Sequence, residues 1–484
     1  MTSAPVLNWI NGDWVDSGVY KESLDPASGD VIGSYADGGA EEAEQAIAAA
    51  AAAFKTSAWR HDRMLRARAL NEMADVFERN ADVLIDAIVR ENGKTRYEAG
   101  FEVSMIAPKL RYSASLVRTT SGRSLQPAGG QFSMVVSEPI GVAGIIVPWN
   151  APCVLLIRSL APALAAGATA AVKMPAQTAQ VNALLAKLLA QVSALPRGVV
   201  NLFTESGEAG ARLLVDSPEV PVISYTGSTH VGRAIASAGG KQLKRLNLEL
   251  GGKTPMIVFD DADLDKAIAT LEKGITVFAG QFCMTGSRIL LQRGIAERLK
   301  GLLKARLEAV RLGPGMDPAS DMGPLIDKAA VARVDAAVDQ AIAEGAEVIV
   351  RGGPARDPAL AAGAFYHPTL LEVADLQADI IQQETFGPVA TLEIFDTEAE
   401  AIERANATEF GLSASIWTRD VDRPWRVGQA IAAGTVWINQ WAVIHDEIEE
   451  GGHKQSGIGR LNGEAAMAPF TEFKHYSIAP GALA

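Results

Sequence analysis

The chain has 484 residues, of which 48% are apolar and 45 are glycine, and its formal net charge is −13. That length exceeds what a single core fills, so two or three domains are expected, and the composition suits a packed α/β enzyme rather than a disordered or fibrous chain. The acidic balance and the lack of any basic run exclude nucleic acid and anionic membrane surfaces as partners.

The opening stretch "MTSAPVLNWINGDW" lacks the basic segment and apolar run of a secretory signal. Runs such as "IGVAGIIVPW" are too short and too glycine-rich for a membrane span of about 20 residues. A cytoplasmic protein with no membrane partner is the expectation. Residues 41–55 and 62–92 carry apolar side chains at helical spacing. Residues 120–139 interrupt that texture with turn formers and an alternating stretch, which reads as a protruding hairpin or a surface loop. From about residue 139, short apolar strands lead into helical stretches: "GVAGIIV", "ATAAVK", "GVVNLF", "PVISYT" and "RLNLEL". That alternation predicts a parallel sheet with crossover helices. A second alternation, from "PMIVF" through "SRILLQ" and "AEVIV" to "GTVWINQW", predicts a second α/β domain.

Within this frame, "VPWN" ends a strand, and its Asn150 is either a helix N-cap or an amide aimed at a developing oxyanion. Cys153, inside the apolar "APCVLLI", reads as a packed structural thiol. "YTGSTHVG" follows a strand and opens a helix, so the N–H groups after Gly227 and Ser228 suit a phosphate, or Ser228 or Thr229 only caps the helix. No G-x-G-x-x-G sits at a strand-to-helix junction, and no P-loop is present. In "LELGGKTP", Glu249 stands at the carboxyl end of a strand, where α/β ligand sites form, or is a surface carboxylate beside Lys253. In "GQFCMTGSR", Cys283 is by default a buried structural thiol, although the turn formers place it at a loop or helix start, where a thiol can meet substrate. The two cysteines, Cys153 and Cys283, form no C-x-x-C, and the six histidines show no ligand spacing, so neither a metal site nor a disulfide is expected.

Together these pieces resemble the aldehyde dehydrogenase superfamily, over nearly the whole chain from "WINGDW" at 9–14 to "FTEFKHY" at 470–476. The most specific are "LELGGKTP" and "GQFCMTGSR"; "PWN", "YTGSTHVG", "ETFGPV" at 384–389 and "HKQSGIGR" at 453–460 stand in the matching order. The resemblance implies an α/β fold with a Rossmann-like cofactor domain (1–119 and 140–251), an α/β catalytic domain (252–450) and a small β oligomerisation element (120–139 and 468–484). It implies a homo-oligomer, dimer or tetramer, that oxidises an aldehyde to the acid with NAD or NADP. Cys283 would be the nucleophile, Glu249 the general base, and Asn150 with the Cys283 N–H the oxyanion hole. Lys173 would hold the adenosine ribose, Gly227 and Ser228 would face the pyrophosphate, Glu384 would bind the nicotinamide ribose, and Phe386 would pack near the nicotinamide. Pro148, Trp149, Ala176, Gly232 and Leu250 complete the implied cofactor site.

The chain departs from the family pattern at two places. NAD-preferring members commonly carry a glutamate where this chain has Ala176; its loss removes both a ribose contact and the repulsion of a 2′-phosphate, so NADP or both cofactors fit. Glu449 and Glu450 stand where many members place proline and an aromatic residue, so Glu450 is either a substrate-facing charge suited to a cationic amino-aldehyde or a carboxylate in water. "PWNAPCVLLIR" resembles the matching stretch of bacterial salicylaldehyde and vanillin dehydrogenases. There Ala151 would widen the tunnel, and a helix from Asn150 would align Val154 and Arg158 on one face. Arg158 would meet a phenolic oxygen or a carboxylate, or neutralise Glu450, which favours aromatic aldehydes. Relatives that form acyl-CoA generally lack the glutamate at position 249, so hydrolysis is favoured; intact Cys283, Glu249 and Asn150 argue against a catalytically silent binding protein.

Overall fold

The computed structural model describes residues 4–128 and 130–479. The strands of the first alternation lie side by side and parallel, in the order Val200–Glu205, Thr169–Pro175, Val142–Ile146, Val222–Thr226 and Arg245–Glu249. Antiparallel strands Asn8–Ile10 and Asp13–Val15 extend one edge, and Gly457–Ile458 the other, to make eight. Val142–Ile146 and Val222–Thr226 are buried at every position, as both-face coverage of a parallel sheet requires. Chain order reverses between these two strands, so the loops beyond their carboxyl ends diverge and open a crevice. "VPWN" and "YTGSTHVG" are those loops.

The helix expected at 41–55 is Ala40–Thr56. The stretch 62–92 is two helices, Arg63–Arg79 and Ala81–Asn92. Asn80 breaks the run, its amide turning back to donate to the Val76 carbonyl at 2.8 Å. Asp62 caps the first of the two, accepting from Leu65 N at 2.9 Å. Ahead of the helical region, Tyr20–Leu24 and Val31–Ala36 form an antiparallel pair that helical periodicity does not reveal.

The second alternation builds a seven-stranded sheet in the order Glu347–Val350, Thr369–Glu372, Val389–Phe395, Arg288–Gln292, Pro255–Val258, Ser413–Trp417, Thr435–Ile438. "AEVIV" departs from the expected parallel pattern. It pairs antiparallel with Thr369–Glu372 at the sheet edge, where its first half is exposed and no crossover helix is needed. Arg288 opens the strand that follows the Cys283 loop, and is fully buried in a two-bond fork with Glu393, Nε to Oε1 and Nη2 to Oε2 at 2.7 Å each. Breaking such a pair strands a buried charge, so it fixes the start of this strand.

The hairpin reading of 120–139 holds: Arg123–Ala128 and Gln131–Pro139 pair antiparallel, and Thr471–Ile478 adds a third strand. Gly129 and residues 480–484 of the expected element lie outside the described residues. This sheet exposes Leu125, Phe132, Met134, Phe473, Tyr476 and Ile478. Among the described residues no helix is long and apolar enough to cross a membrane.

Candidate active site

Cys283 lies ahead of the amino end of Arg288–Gln292 in the second sheet, and residues beyond the strand ends of the first sheet, Asn150 and Gly252, approach its loop. From the first sheet comes the turn "PWN" and then the helix Pro152–Ala166, whose N-cap is Ala151 and whose first residue is a proline. The helix therefore does not start at Asn150, and Asn150 is not its cap. Instead the buried Asn150 amide donates to the Gln281 carbonyl at 3.1 Å, two residues before Cys283, which leaves its second N–H for another acceptor. Asn92 fixes the same turn from behind, donating to Trp149 O at 2.7 Å.

Three buried charges missed at the level of sequence hold this helix against the cysteine loop. Glu102 Oε1 accepts from Cys153 N at 2.8 Å and Val154 N at 3.3 Å, a carboxylate on a helix N-terminus. Its other oxygen pairs with Lys94, whose ammonium lies 4.1 Å from the centroid of the Phe278 ring. Glu98 accepts from Phe278 N at 2.7 Å, and burial pushes its carboxyl up from the ordinary range. The signal was present as Lys94, Glu98 and Glu102, spaced by one helical turn each in "KTRYEAGFE". Cys153, wholly buried beside them, is structural as expected.

Cys283 follows a short turn, Val277–Gly280, in which Phe278 and Ala279 both take φ of 51°. Non-glycine residues there pay strain that only a well-packed loop sustains. Gly252, from "LELGGKTP", lets this loop come close: a Cβ on it would stand 2.3 Å from the Cys283 carbonyl oxygen. Gly252→Ala is therefore expected to displace the thiol and to lower kcat at least about tenfold, with Tm reduced by several degrees, read by steady-state kinetics and thermal melting.

The thiol is half-buried, and burial pushes its pKa up to about 12; Arg158 pulls it down, while Glu450, Glu384 and Glu249 add to the rise. A base must therefore take its proton. Glu249 ends the strand Arg245–Glu249 and is 3% exposed. Burial pushes its carboxyl up to about 8, against the pull of Arg158 and Arg460 and with a further push from Glu450, and its Oε1 has no partner among the described residues. The reading of Glu249 as a surface carboxylate beside Lys253 fails, because Lys253 is itself buried and directs Nζ toward Thr385 Oγ1 at 3.5 Å. Burial, with Arg288 nearby, brings that lysine down to about 7.

A cavity of about 270 Å³ reaches Cys283, lined by Asn150, Ala151, Val154, Arg158 and Glu450. Phe101, Phe282 and Trp441 give it aromatic walls. Val154 and Arg158 do share one helix face, although the helix begins later than expected. Glu449 is exposed, but Glu450 is buried, so the reading of both carboxylates in water is overturned. Glu450 faces Arg158, Oε1 to Nη1 at 3.5 Å.

The residues expected at a cofactor gather in the crevice. Ser228 caps the helix Thr229–Gly240, accepting from Val231 N at 3.4 Å, so the N–H groups of Thr229 and His230 remain without an intrahelical carbonyl. Gly232 is a packing position: a Cβ there would meet Leu250 Cδ2 at 2.4 Å. Gly227 N donates to Glu249 O at 2.9 Å, tying the turn to the carboxylate's strand. Lys173 is half-buried, burial lowers its pKa, and its ammonium has no hydrogen bond or ion pair among the described residues. Ala176 begins the next turn and supplies no carboxylate. Glu384 accepts from Gly252 N at 3.2 Å, and burial pushes its carboxyl up to about 7. Trp149, following Pro148, stacks edge-on with Phe386 at 5.5 Å between centroids, and Phe386 is held at φ 52°. An unpaired lysine, an open helix N-terminus and an aromatic pair at a switch point fit a dinucleotide.

Fold and site thus define an oxidoreductase built around a half-buried thiol and a nucleotide crevice. The aldehyde dehydrogenase family model matches residues 14–476, and the chain belongs to that family. It is an aldehyde dehydrogenase, with NAD or NADP as acceptor. Curated relatives include the NADP succinate-semialdehyde dehydrogenase of Escherichia coli, 37% identical with 97% of each chain covered. Another is the betaine aldehyde dehydrogenase of Bacillus subtilis, 34% identical with 96% of each covered. Among solved structures, the Staphylococcus aureus betaine aldehyde dehydrogenase in complex with NAD⁺ superposes with a TM-score of 0.96 at 32% identity, over 99% of this chain and 96% of that one.

Proposed function

We propose that the protein oxidises an aromatic aldehyde to the carboxylic acid through a cysteine thioester. The observation that supports this is that Cys283 and Asn150 line the aromatic-walled cavity while the buried Glu249 lies near enough to raise the Cys283 pKa. The Cys283 sulfur adds to the aldehyde carbonyl as its proton passes to water, and the oxyanion of the thiohemiacetal accepts from the free N–H of Asn150 and from Cys283 N–H. A nicotinamide cofactor held in the crevice would supply the two-electron oxidant, a hydride acceptor, that takes the Cys283 adduct to the thioester. Glu249 then removes a proton from the water that attacks the thioester, and the acid departs as the thiol re-forms. Lys173, the Thr229 helix N-terminus and Glu384 would hold the cofactor's ribose and phosphate groups, with Gly227, Ser228, Gly232 and Leu250 shaping the turn.

The absence of a carboxylate at Ala176 favours NADP or dual use, since the charge that would repel a 2′-phosphate from that position is missing. Aromatic substrates are favoured by cavity size: a dry cavity of about 150 Å³ already holds benzene. The likeness of "PWNAPCVLLIR" to salicylaldehyde and vanillin dehydrogenases points the same way. A cationic amino-aldehyde is the lesser reading, because Glu450 is engaged with Arg158.

In this reading, 1–119 with 140–251 is the cofactor domain, 252–450 the catalytic domain, and 120–139 with 468–484 an oligomerisation element whose exposed apolar side chains meet another subunit of a cytoplasmic dimer or tetramer. The test is absorbance of the reduced nicotinamide with benzaldehyde, salicylaldehyde, vanillin and 4-aminobutanal, each with NAD and NADP. The aromatic aldehydes are expected to give the higher kcat/KM; a lead for 4-aminobutanal would overturn the substrate reading.

A further inference from the structure

The cavity carries an ion pair that the proposed chemistry does not use. Both carboxylate oxygens of Glu450 are engaged: Oε1 faces Arg158, and Oε2 accepts from Asn462 Nδ2 at 3.1 Å. Its backbone exchanges two hydrogen bonds of 2.7 Å with Leu461, so the residue is fixed at both ends. Asn462 is itself held, its Oδ1 accepting from Lys109 Nζ at 3.1 Å, and Lys109 pairs with Asp446 at 2.6 Å. Turning Glu450 toward a ligand would break this buried chain.

Arg158 is differently placed. Nη1 is given to Glu450 and Nη2 to Thr226 Oγ1, both at 3.5 Å, but its buried Nε has no partner among the described residues. Each Nη keeps a second N–H, and Arg158 lines the cavity, so the guanidinium still offers donors to a ligand oxygen. A second carboxylate would have to share the guanidinium with Glu450 and repel it, while a cation would meet the guanidinium with both oxygens of Glu450 engaged.

We infer that Glu450 is the specificity residue of the tunnel: by occupying Arg158 it leaves spare N–H donors and no net charge at this wall, which selects uncharged aldehydes bearing an oxygen acceptor and rejects anionic and cationic ones. The inference rests on the reading that this cavity holds the aldehyde.

The test uses the full-length enzyme and benzaldehydes that differ only at the para position, carrying methoxy, carboxylate or trimethylammonium. Wild type is expected to favour the methoxy compound over either charged one by about thirtyfold or more in kcat/KM. Glu450→Gln is expected to raise the ratio of carboxylate to methoxy compound about tenfold, because the substrate carboxylate becomes the partner of Arg158. Glu450→Asp, which keeps the charge, is expected to keep the wild-type ranking. Equal use of charged and neutral compounds by wild type, or a ratio unmoved in Glu450→Gln, overturns the inference. The wild-type ranking decides it alone if the glutamine variant does not fold. Should no benzaldehyde turn over, the aromatic reading fails separately, and pentanal, succinate semialdehyde and 4-aminobutanal give the same comparison of charge in an aliphatic series.

Discussion

Cys283→Ala is expected to abolish aldehyde-dependent nicotinamide reduction, lowering kcat by about 10⁴ or more, while binding of NAD or NADP stays within about threefold of wild type. The separation follows from where the residue sits. Its side chain faces the cavity, whereas the groups that fit the cofactor lie in the crevice: the helix Thr229–Gly240, Lys173 and Glu384. The backbone of the loop is held by others, Asn150 on the Gln281 carbonyl and Glu98 on Phe278 N, so loss of the sulfur leaves the turn in place. Stopped-flow absorbance with saturating aldehyde, beside fluorescence titration of the cofactor, checks both halves. A variant that keeps more than about a hundredth of wild-type kcat would sink Cys283 as the nucleophile, since no residual route of that size survives removal of an attacking atom.

The parallel sheets were legible because their strands are apolar on both faces and bounded by helices, which leaves short β-branched runs at regular intervals. The strands before residue 40 were not, since Tyr20–Leu24 is mostly exposed and its pairing with Val31–Ala36 leaves no apolar periodicity to read. Cys283 and Glu249 could be singled out only as chemistry at strand ends; their roles came with the family resemblance, because sequence spacing does not say that Gly252 packs on the cysteine loop. Asn150 misled for a local reason. An asparagine before Ala-Pro looks like a cap, yet proline at the first helical position moves the cap to Ala151 and frees the amide for Gln281. Lys94, Glu98 and Glu102 escaped notice because charged residues at helical spacing usually mark a solvated face. Here the helix is covered, and the charges satisfy one another and two backbone ends.

Glu249→Gln is expected to leave the first turnover and to stop the next. A burst of reduced nicotinamide equal to the active sites should remain, followed by a steady state slower by about 10²–10³, because an amide cannot take the proton of the attacking water. In wild type the steady state should rise with pH through about 8, where burial has placed this carboxyl, and the variant should lose that limb. Stability gives an independent reading. The folded carboxyl titrates near 8 against 4.5 for the ordinary group, so the folded state holds the proton more tightly. Its contribution is complete below pH 4.5 and is lost as pH rises through 8, when the enzyme must either carry a buried charge or unfold. Glutamine has no proton to lose, so the Tm of the variant should gain on wild type between pH 5 and pH 9, by an amount worth about a few kcal/mol at most. Arg158 limits that gain, since its attraction to the ionised carboxylate disappears in the same substitution. A loss of burst would place Glu249 in the first half of the reaction, as the base for Cys283; a Tm difference flat with pH would show that the carboxylate is already charged at rest, and the slow step would then need another proton acceptor.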